Sequence, residues 1–276
     1  MDKITYEEKM NKQARQGRFD EYVNDISKIR YTPVDDKFVY LPKNIFFKLL
    51  SLIVRFLMAA LGPLLVWLVY HIKVEGRENL KGVKKAITVS NHVLVLDILL
   101  NRTACFGHRQ YVTGASFNNR IGMGTILKAG GLFVFGETFT ARKNLNKAIE
   151  KVLEKNCYVH FYSEQALWLN YEKSRPFKIG AFRFASNLNL PIIPITICFR
   201  KPPKFMFWRK SKFVTVVISK PIYPNNELNK KEREKDLLCK AQAAYDNTII
   251  DFYNYDKSAY TYLGSPSETK KRGENG

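Results

Sequence analysis

Residues 86–106 read AITVSNHVLVLDILLNRTACF, a strand-like apolar pattern that passes through a short turn into a helical one. Ala86–Ser90 is a run of β-forming residues, and Leu96–Phe106 carries apolar residues at helical spacing. His92 lies between the two, and Asp97 follows it by five positions. The stretch therefore predicts a strand, a turn that carries a histidine, and a helix that carries an aspartate in its first turn.

The same alternation of short β-forming runs and longer helical patterns continues along the chain. Further strands are predicted at Gln110–Thr113, Leu132–Phe135, Tyr158–Tyr162, Ile192–Phe199 and Phe213–Ser219. Further helices are predicted at Ala141–Lys155, Ile179–Asn187 and Glu227–Tyr255. Alternating elements of this kind favour an α/β fold with a central, mostly parallel or mixed sheet flanked by helices.

Composition divides the 276 residues into four segments. The first, residues 1–38, is polar and is expected to hold a short helix and a loop. Residues 39–74 form a membrane-associated helical segment, and residues 75–263 form the α/β domain. Residues 264–276 contain almost no apolar side chains, so we expect a disordered tail.

The most apolar stretch is residues 45–72. Its last 17 residues carry no charge if the histidine is neutral, which as a helix is about 25 Å, the lower limit for crossing a bilayer. Lys48 and Arg55 interrupt the preceding turns, and Gly62-Pro63 predicts a kink. Three interpretations remain open: a buried core helix, a single spanning helix, and a kinked pair of helices in one leaflet. The charges of Lys48 and Arg55 favour the kinked pair.

The chain is strongly basic, with 45 Lys+Arg against 25 Asp+Glu and a net charge of +20. Residues 1–38 hold eight charges of each sign, so the whole excess lies in residues 39–276. Such a field attracts polyanions, either nucleic acid or anionic lipid head groups. The sequence contains no nucleic-acid recognition motif, and its apolar segment favours lipid. We therefore expect membrane lipids and no nucleic acid as partners.

Eleven Lys/Arg and no Asp or Glu occur between Lys173 and Asn226. Within this region, basic and aromatic residues interleave between two predicted strands. That pattern predicts contact with an anionic membrane surface. The alternative is a solvated loop whose aromatic rings fold back onto the sheet. The predicted membrane-contact residues are Arg200, Lys201, Lys204, Phe207, Trp208, Arg209 and Lys210.

The four cysteines are far apart and belong to no Cys/His cluster, so we expect neither disulfides nor a metal site. The first 44 residues are polar and carry no secretory signal pattern. A location on the cytoplasmic face of the cytoplasmic membrane is the resulting expectation. The cysteines are Cys105, Cys157, Cys198 and Cys239.

His92 and Asp97 are the candidate catalytic pair. Histidine is the natural general base at neutral pH, and a carboxylate on its far nitrogen fixes the tautomer. Two residues five apart in one helix point about 140° away from each other. The side chains can therefore meet only if His92 lies in the turn before the helix.

Further blocks follow this pair in a fixed order. Gly130–Phe133 is rich in glycine and ends in phenylalanine, Phe161–Glu164 ends in glutamate, and Leu190–Pro194 has proline at both flanks of an Ile pair. With Asn91-His92 and Asp97, this series resembles the lysophospholipid acyltransferase family, which includes the 1-acylglycerol-3-phosphate acyltransferases. The resemblance covers about residues 75–225 and includes the NHxxxxD motif of the family.

The resemblance implies an O-acyltransferase in which His92 deprotonates an acceptor hydroxyl and Asp97 orients His92. The acyl group would come from a thioester of coenzyme A or acyl carrier protein, so a carrier protein is an expected partner and no cofactor or metal is required. Lipids or lysolipids are the implied acceptors. The implied substrate-binding residues are Asn91, Gly131, Phe133, Glu164 and Gln165.

Two arginines of the family pattern are missing. The second block usually reads GxxFxxR, and the third usually reads PEGTRS. Gly136 and Leu167 stand where the arginines would be. In the family those arginines are associated with the phosphate of the acceptor, through contacts of the charge-assisted kind. Their loss argues against a phosphate-bearing acceptor. A non-catalytic lipid-binding or scaffold protein is the alternative, although the intact His92, Asp97 and Glu164 favour an enzyme.

Overall fold

The computed structural model describes residues 5–206, 208–209 and 211–256. Within them, seven strands form one sheet in the order β1-β7-β6-β2-β5-β3-β4. All neighbouring strands are parallel except β6 and β7. The mixed α/β sheet predicted from the sequence is therefore confirmed. The strands are β1 (Lys73–Glu75), β2 (Ala86–Ser90), β3 (Gln110–Gly114), β4 (Leu132–Val134), β5 (Tyr158–Tyr162), β6 (Ile192–Arg200) and β7 (Phe213–Ile218).

Helices cover both faces of the sheet, and a separate hydrophobic cluster fills each side. One cluster contains the inner faces of α5, α6 and α7, and the other contains those of α1, α2 and α3. The helices are α1 (Tyr6–Arg15), α2 (Ile45–Tyr70), α3 (Asp97–Ala104), α4 (Gly124–Gly130), α5 (Phe139–Leu153), α6 (Gly180–Leu188) and α7 (Lys230–Tyr253).

Strand β2 lies in the middle of the sheet, between β5 and β6, and every residue in it is buried. A strand covered on both faces needs an uninterrupted run of small or apolar side chains. The AITVS sequence provides that run. In open α/β sheets, ligands bind outside the carboxyl ends of such strands. The turn that carries His92 follows directly at this end.

The kinked helix pair predicted for residues 45–72 is wrong, because α2 is one helix that runs unbroken through Pro63. Proline removes one hydrogen bond and costs about 3 kcal/mol inside a helix. Packing on α3 and α4 offsets that cost, and the Gly62 backbone approaches Leu99 closely enough that a Cβ would be 3.4 Å from the leucine side chain.

The buried core helix is also excluded, because just Gly62 and Val66 of α2 are buried. The outer face is exposed along the whole helix, and Phe46 alone is 82% exposed. Helix α2 is long and apolar enough to cross a membrane. Membrane association is the interpretation that this exposed apolar face favours. Spanning and single-leaflet attachment both remain open.

The polar N-terminal segment packs on the body of the protein near the carboxyl ends of the strands. Val34 is fully buried in the core, and its carbonyl accepts a hydrogen bond from Glu137 N, just after β4. Tyr31 forms a β-bridge with Arg120. The predicted divisions of the chain at residues 38 and 74 remain predictions. The expected tail, residues 264–276, lies outside the described residues.

Candidate active site

His92 and Asp97 meet at the carboxyl end of β2. The Nδ1 atom of His92 is 2.8 Å from Oδ2 of Asp97. The Asp97 side chain is buried, whereas 22% of the His92 side chain is exposed. His92 lies in the turn and Asp97 begins α3, which is the arrangement that the spacing requires. The pair therefore has one solvent-accessible ring held by one buried carboxylate.

The Asp97 carboxylate also holds the backbone of the turn. Its Oδ2 accepts hydrogen bonds from Val93 N at 2.8 Å and from Leu94 N at 3.1 Å. A carboxylate in the first turn of a helix is further stabilised by the helix dipole. Because Oδ2 accepts from the imidazole, Nδ1 carries the proton and Nε2 is left as the basic nitrogen.

Glu164 follows β5, and its side chain is completely buried. Oε2 accepts a hydrogen bond from the backbone N of His92 at 3.1 Å. Oε1 accepts one from the Tyr245 hydroxyl at 2.6 Å and one from Arg175 N at 3.1 Å. Both carboxylate oxygens are therefore engaged by the protein. Glu164 therefore holds the backbone of the turn that carries His92, and its implied role in substrate binding remains a prediction.

Arg175 forms an ion pair with Glu164. This residue was not among the site residues predicted from the sequence. Its Nη2 lies 2.5 Å from Glu164 Oε2 and also donates to the carbonyl oxygens of His92 at 3.2 Å and Ala166 at 2.8 Å. Its Nη1 donates to Phe19 O in the N-terminal segment at 3.1 Å. In a region with eleven basic residues, nothing in the sequence separates this buried arginine from the exposed ones.

Comparison with known proteins agrees with this geometry. Residues 71–198 match the family model described as "Acyltransferase". An uncharacterized acyltransferase of Schizosaccharomyces pombe is 27% identical to the chain over 197 residues, 68% of each protein.

Residues 71–198 are therefore similar to the acyltransferase family over a little less than half of the chain. This match agrees with the resemblance to the lysophospholipid acyltransferase family that the motifs carry. The crystal structure of the 1-acyl-sn-glycerophosphate (LPA) acyltransferase PlsC from Thermotoga maritima is 19% identical, with a TM-score of 0.45, and the match covers 74% of this chain and 84% of that one.

The residues predicted to bind substrate are not all at the dyad. Asn91 is buried and spans to β6, where its amide bonds both backbone groups of Ile197 at 2.9 Å. Both polar ends of Asn91 are thus engaged, and the assignment is corrected from binding substrate to locking β2 against β6. Gln165 is exposed directly after Glu164, with a left-handed φ of 72°, and its binding role remains a prediction.

Gly131 and Phe133 lie at β4, three strands away from β2 in the sheet. Phe133 is 1% exposed and stacks on Tyr111 with ring centroids 4.8 Å apart. It has no surface to offer a substrate, so its assignment is corrected to core packing. Gly131 has φ 100°, and a Cβ there would lie 2.6 Å from the Arg55 guanidinium of α2. This close approach to α2 explains why residue 131 is a glycine. The predicted role of Gly131 in substrate binding stays a prediction.

The structure explains why no arginine occupies position 136 of this chain. A Cβ at Gly136 would lie 2.6 Å from Ala141, so no side chain fits there. Arg142 of α5 nevertheless donates through Nε to Gly136 O at 3.0 Å. A guanidinium is therefore present at this strand end, although it comes from a different position in the sequence. Leu167, at the position of the other missing arginine, directly follows Ala166, whose carbonyl accepts from Arg175.

The basic loop between β6 and β7 lies at the C-terminal end of α2. Arg200 donates to His71 O at 2.7 Å. Arg209 contacts His71 Nε2 at 2.5 Å and donates to Val69 O at 3.1 Å. Cations are favourable at a helix C-terminus. Both guanidiniums bind the end of α2, and the membrane contact expected of Arg200 and Arg209 remains a prediction.

The other predicted contacts of this loop keep their assignment as predictions. Lys201, Lys204 and Trp208 are exposed. Phe207 and Lys210 lie outside the described residues. The loop and the exposed apolar face of α2 are adjacent, which places basic and aromatic side chains where an apolar helix ends. Such a juxtaposition is typical of membrane interfaces.

Proposed function

We propose that this acyltransferase moves a fatty acyl chain from a thioester onto a hydroxyl of a lipid or lysolipid-like acceptor, with His92 as general base. The observation that carries the proposal is the 2.8 Å contact between His92 Nδ1 and the buried Asp97 carboxylate. A buried carboxylate on one ring nitrogen leaves the other nitrogen basic and correctly oriented for proton abstraction.

The reaction needs one proton to move twice. Nε2 of His92 takes the proton of the acceptor hydroxyl as its oxygen attacks the carbonyl carbon of the thioester. When the carbon–sulfur bond breaks, the imidazolium returns the proton to the leaving thiolate. Asp97 stabilises the imidazolium between the two transfers. The acyl group therefore passes directly from sulfur to oxygen without a covalent enzyme intermediate.

The oxyanion of the tetrahedral intermediate requires hydrogen-bond donors other than the first three backbone N–H groups of the catalytic turn. The backbone N–H of His92 donates to Glu164. Those of Val93 and Leu94 donate to Asp97. These three donors are committed to holding the dyad, so they are not available for the acyl carbonyl. We assign these three backbone N–H groups to positioning the dyad.

We place the enzyme on the cytoplasmic face of the cytoplasmic membrane. The support is the exposed apolar face of α2, which would embed in lipid, and the basic excess outside residues 1–38. The same positive field attracts the phosphates of coenzyme A or the acidic surface of an acyl carrier protein. Either thioester is a donor consistent with this charge.

The proposal is tested with purified protein in detergent by measuring thiol release from acyl-CoA and from acyl carrier protein thioester. Each donor is paired with a lysophospholipid, a monoacylglycerol and a glycolipid. We expect thiol release that depends on one of the acceptors and yields its acylated product. Saturable lipid binding with no thiol release for any pair would instead support the non-catalytic alternative.

A further inference from the structure

An aromatic ring lies flat against the imidazole of His92. Tyr162 is the last residue of β5, and its ring centroid is 4.0 Å from that of His92 with 18° between the ring planes. Tyr162 pairs with Ser90 across the parallel β2–β5 ladder. The ring thus covers one face of the imidazole, while Asp97 binds its Nδ1 edge.

A second histidine, His160, is fully buried below this stack. One of its ring nitrogens is 2.9 Å from Thr88 Oγ1. The other is 3.1 Å from Ser90 Oγ and 3.0 Å from Asn101 Nδ2. Thr88 and Ser90 belong to β2 and Asn101 to α3, the two elements that flank the catalytic turn. His160 on β5 therefore ties together the elements that carry the dyad.

His160 and Tyr162 face the same side of β5 because residues two apart in a strand do so. Their ring centroids are 4.8 Å apart at 81°, an edge-to-face contact. Burial, together with the charge of the nearby His92, lowers the pKa of His160 to about 3. Burial also raises the pKa of the Tyr162 hydroxyl well above its usual range. Both supporting rings are therefore neutral while His92 gains and loses its proton.

His160 and Tyr162 occupy positions that are apolar in the strand on the other side of β2. In the neighbouring strand β6 the corresponding buried positions are Ile193, Ile195 and Ile197. Buried polar groups lower stability unless each finds a partner, and apolar side chains would fill the same space without that requirement. Packing alone gives no reason for a histidine and a tyrosine here. The face of an aromatic ring, however, attracts a cation held against it.

We propose that Tyr162 is a positioning residue for the acyl transfer proposed above, and that His160 anchors it. The stacked ring holds the imidazole in the orientation in which Nδ1 meets Asp97. It also stabilises the imidazolium formed when His92 takes the proton of the acceptor hydroxyl. His160 keeps the ring in place by its edge contact and by its bonds to β2 and α3.

The test compares Tyr162→Leu, which removes the ring, with Tyr162→Phe, which keeps it. A cation–π contact of this kind corresponds to about a 3- to 30-fold effect. We expect Tyr162→Leu to lower kcat by about that factor with less than a twofold change in KM for donor and acceptor, and Tyr162→Phe to restore most of the rate. An equal loss in both variants would place the effect on the hydroxyl and overturn the proposal. So would an unchanged kcat in Tyr162→Leu.

Tyr111→Leu is the matched control for loss of a stacked ring. Tyr111 stacks on Phe133 at 4.8 Å and 20°, on β3 and β4. We expect Tyr111→Leu to lower the thermal stability without changing the kcat of the folded enzyme. A kcat loss in Tyr111→Leu equal to that of Tyr162→Leu would mean that any lost ring in the sheet has this effect, and would contradict a specific role for Tyr162.

A second readout needs no turnover and therefore separates this proposal from the proposed function. Diethyl pyrocarbonate modifies accessible neutral imidazoles, and mass spectrometry gives the rate at each histidine. We expect His92 to react several times faster in Tyr162→Leu than in wild type or Tyr162→Phe. His108, stacked on Tyr158 at 4.3 Å and 18°, is the internal control and should not change. Equal His92 rates in all three proteins would show that the stack does not hold the imidazole, whether or not the enzyme is active.

Discussion

At the scale of single residues, the catalytic turn is held by charged groups that are themselves buried. Asp97 binds the imidazole and two backbone N–H groups. Glu164 binds the third, and Arg175 binds both Glu164 and the carbonyl of His92. A small shift of any of these three side chains would disturb the turn that carries His92. The dyad is therefore sensitive to residues that never contact a substrate.

Asp97→Asn should lower acyl transfer by about a hundred- to ten-thousand-fold. An amide at this position can donate to Nδ1, which favours the tautomer with the proton on Nε2 and removes the base. The measurement is kcat/KM of purified enzyme, with membrane binding as a control that should not change. A loss smaller than tenfold would contradict the assigned role of the carboxylate.

Arg175→Met should cost about 3–5 kcal/mol in the free energy of unfolding, because it leaves the Glu164 carboxylate buried without its cation. Lys178→Met is the matched control. Lys178 also binds the N-terminal segment, through Asp20 at 2.7 Å, but both side chains of that pair are about half exposed. Its loss should change stability by less than about 1 kcal/mol. Equal stability losses in chemical denaturation would show that burial of the Arg175 pair does not matter.

The sequence was informative about the dyad and much less so about its support. The five-residue spacing after a strand was enough to predict how His92 meets Asp97. Arg175 and Tyr162 could not be selected in the same way. Their importance depends on which strands are neighbours and on burial, and neither is encoded near them in the chain.

At the scale of elements, strands with strong patterns were predicted well. The β2 and β5 boundaries agree with the structure residue for residue, because both strands are apolar runs with clear ends. Strand β1 was missed because it has three residues, two of them charged. Helix α4 was missed because it has seven residues and begins and ends with glycine. Helix α2 was predicted to break because local rules do not include its packing against α3 and α4.

Substituting the outer face of α2 should weaken membrane attachment without damaging the fold. Phe46, Leu52 and Phe56 are all more than 60% exposed. Each large apolar side chain contributes about 1.5–3 kcal/mol when it is removed from water. The triple serine variant should therefore leave liposomes in high salt, where wild type remains bound. Persistent binding of the triple variant in high salt would exclude this face as the anchor.

The matched control is Lys201→Ser with Lys204→Ser in the basic loop. This change should weaken binding at low salt only, since exposed charges are screened at high ionic strength. Deleting residues 1–72 is a poor alternative test. Such a deletion would also remove Val34, Tyr40 and Val66 from the two cores, so loss of binding could not be separated from loss of folding.

At the scale of the whole molecule, the net charge and the two missing arginines affect which acceptor we expect the enzyme to prefer. We expect lysophosphatidate to be no better than a few-fold preferred over an uncharged monoacylglycerol, because two bidentate phosphate contacts are absent. The measurement is the ratio of kcat/KM for the two acceptors. A strong preference for lysophosphatidate that disappears in Arg142→Ala would contradict this expectation, and would give the guanidinium at Gly136 the role of the missing arginine.

The proposed role of His92 as the base for acyl transfer can be tested by a single comparison. Purified His92→Ala is compared with wild type for acceptor-dependent thiol release, with thermal unfolding and liposome binding measured on the same samples. We expect a folded, membrane-binding protein whose turnover is lower by about a hundred- to ten-thousand-fold. Near-normal turnover in that protein would contradict it.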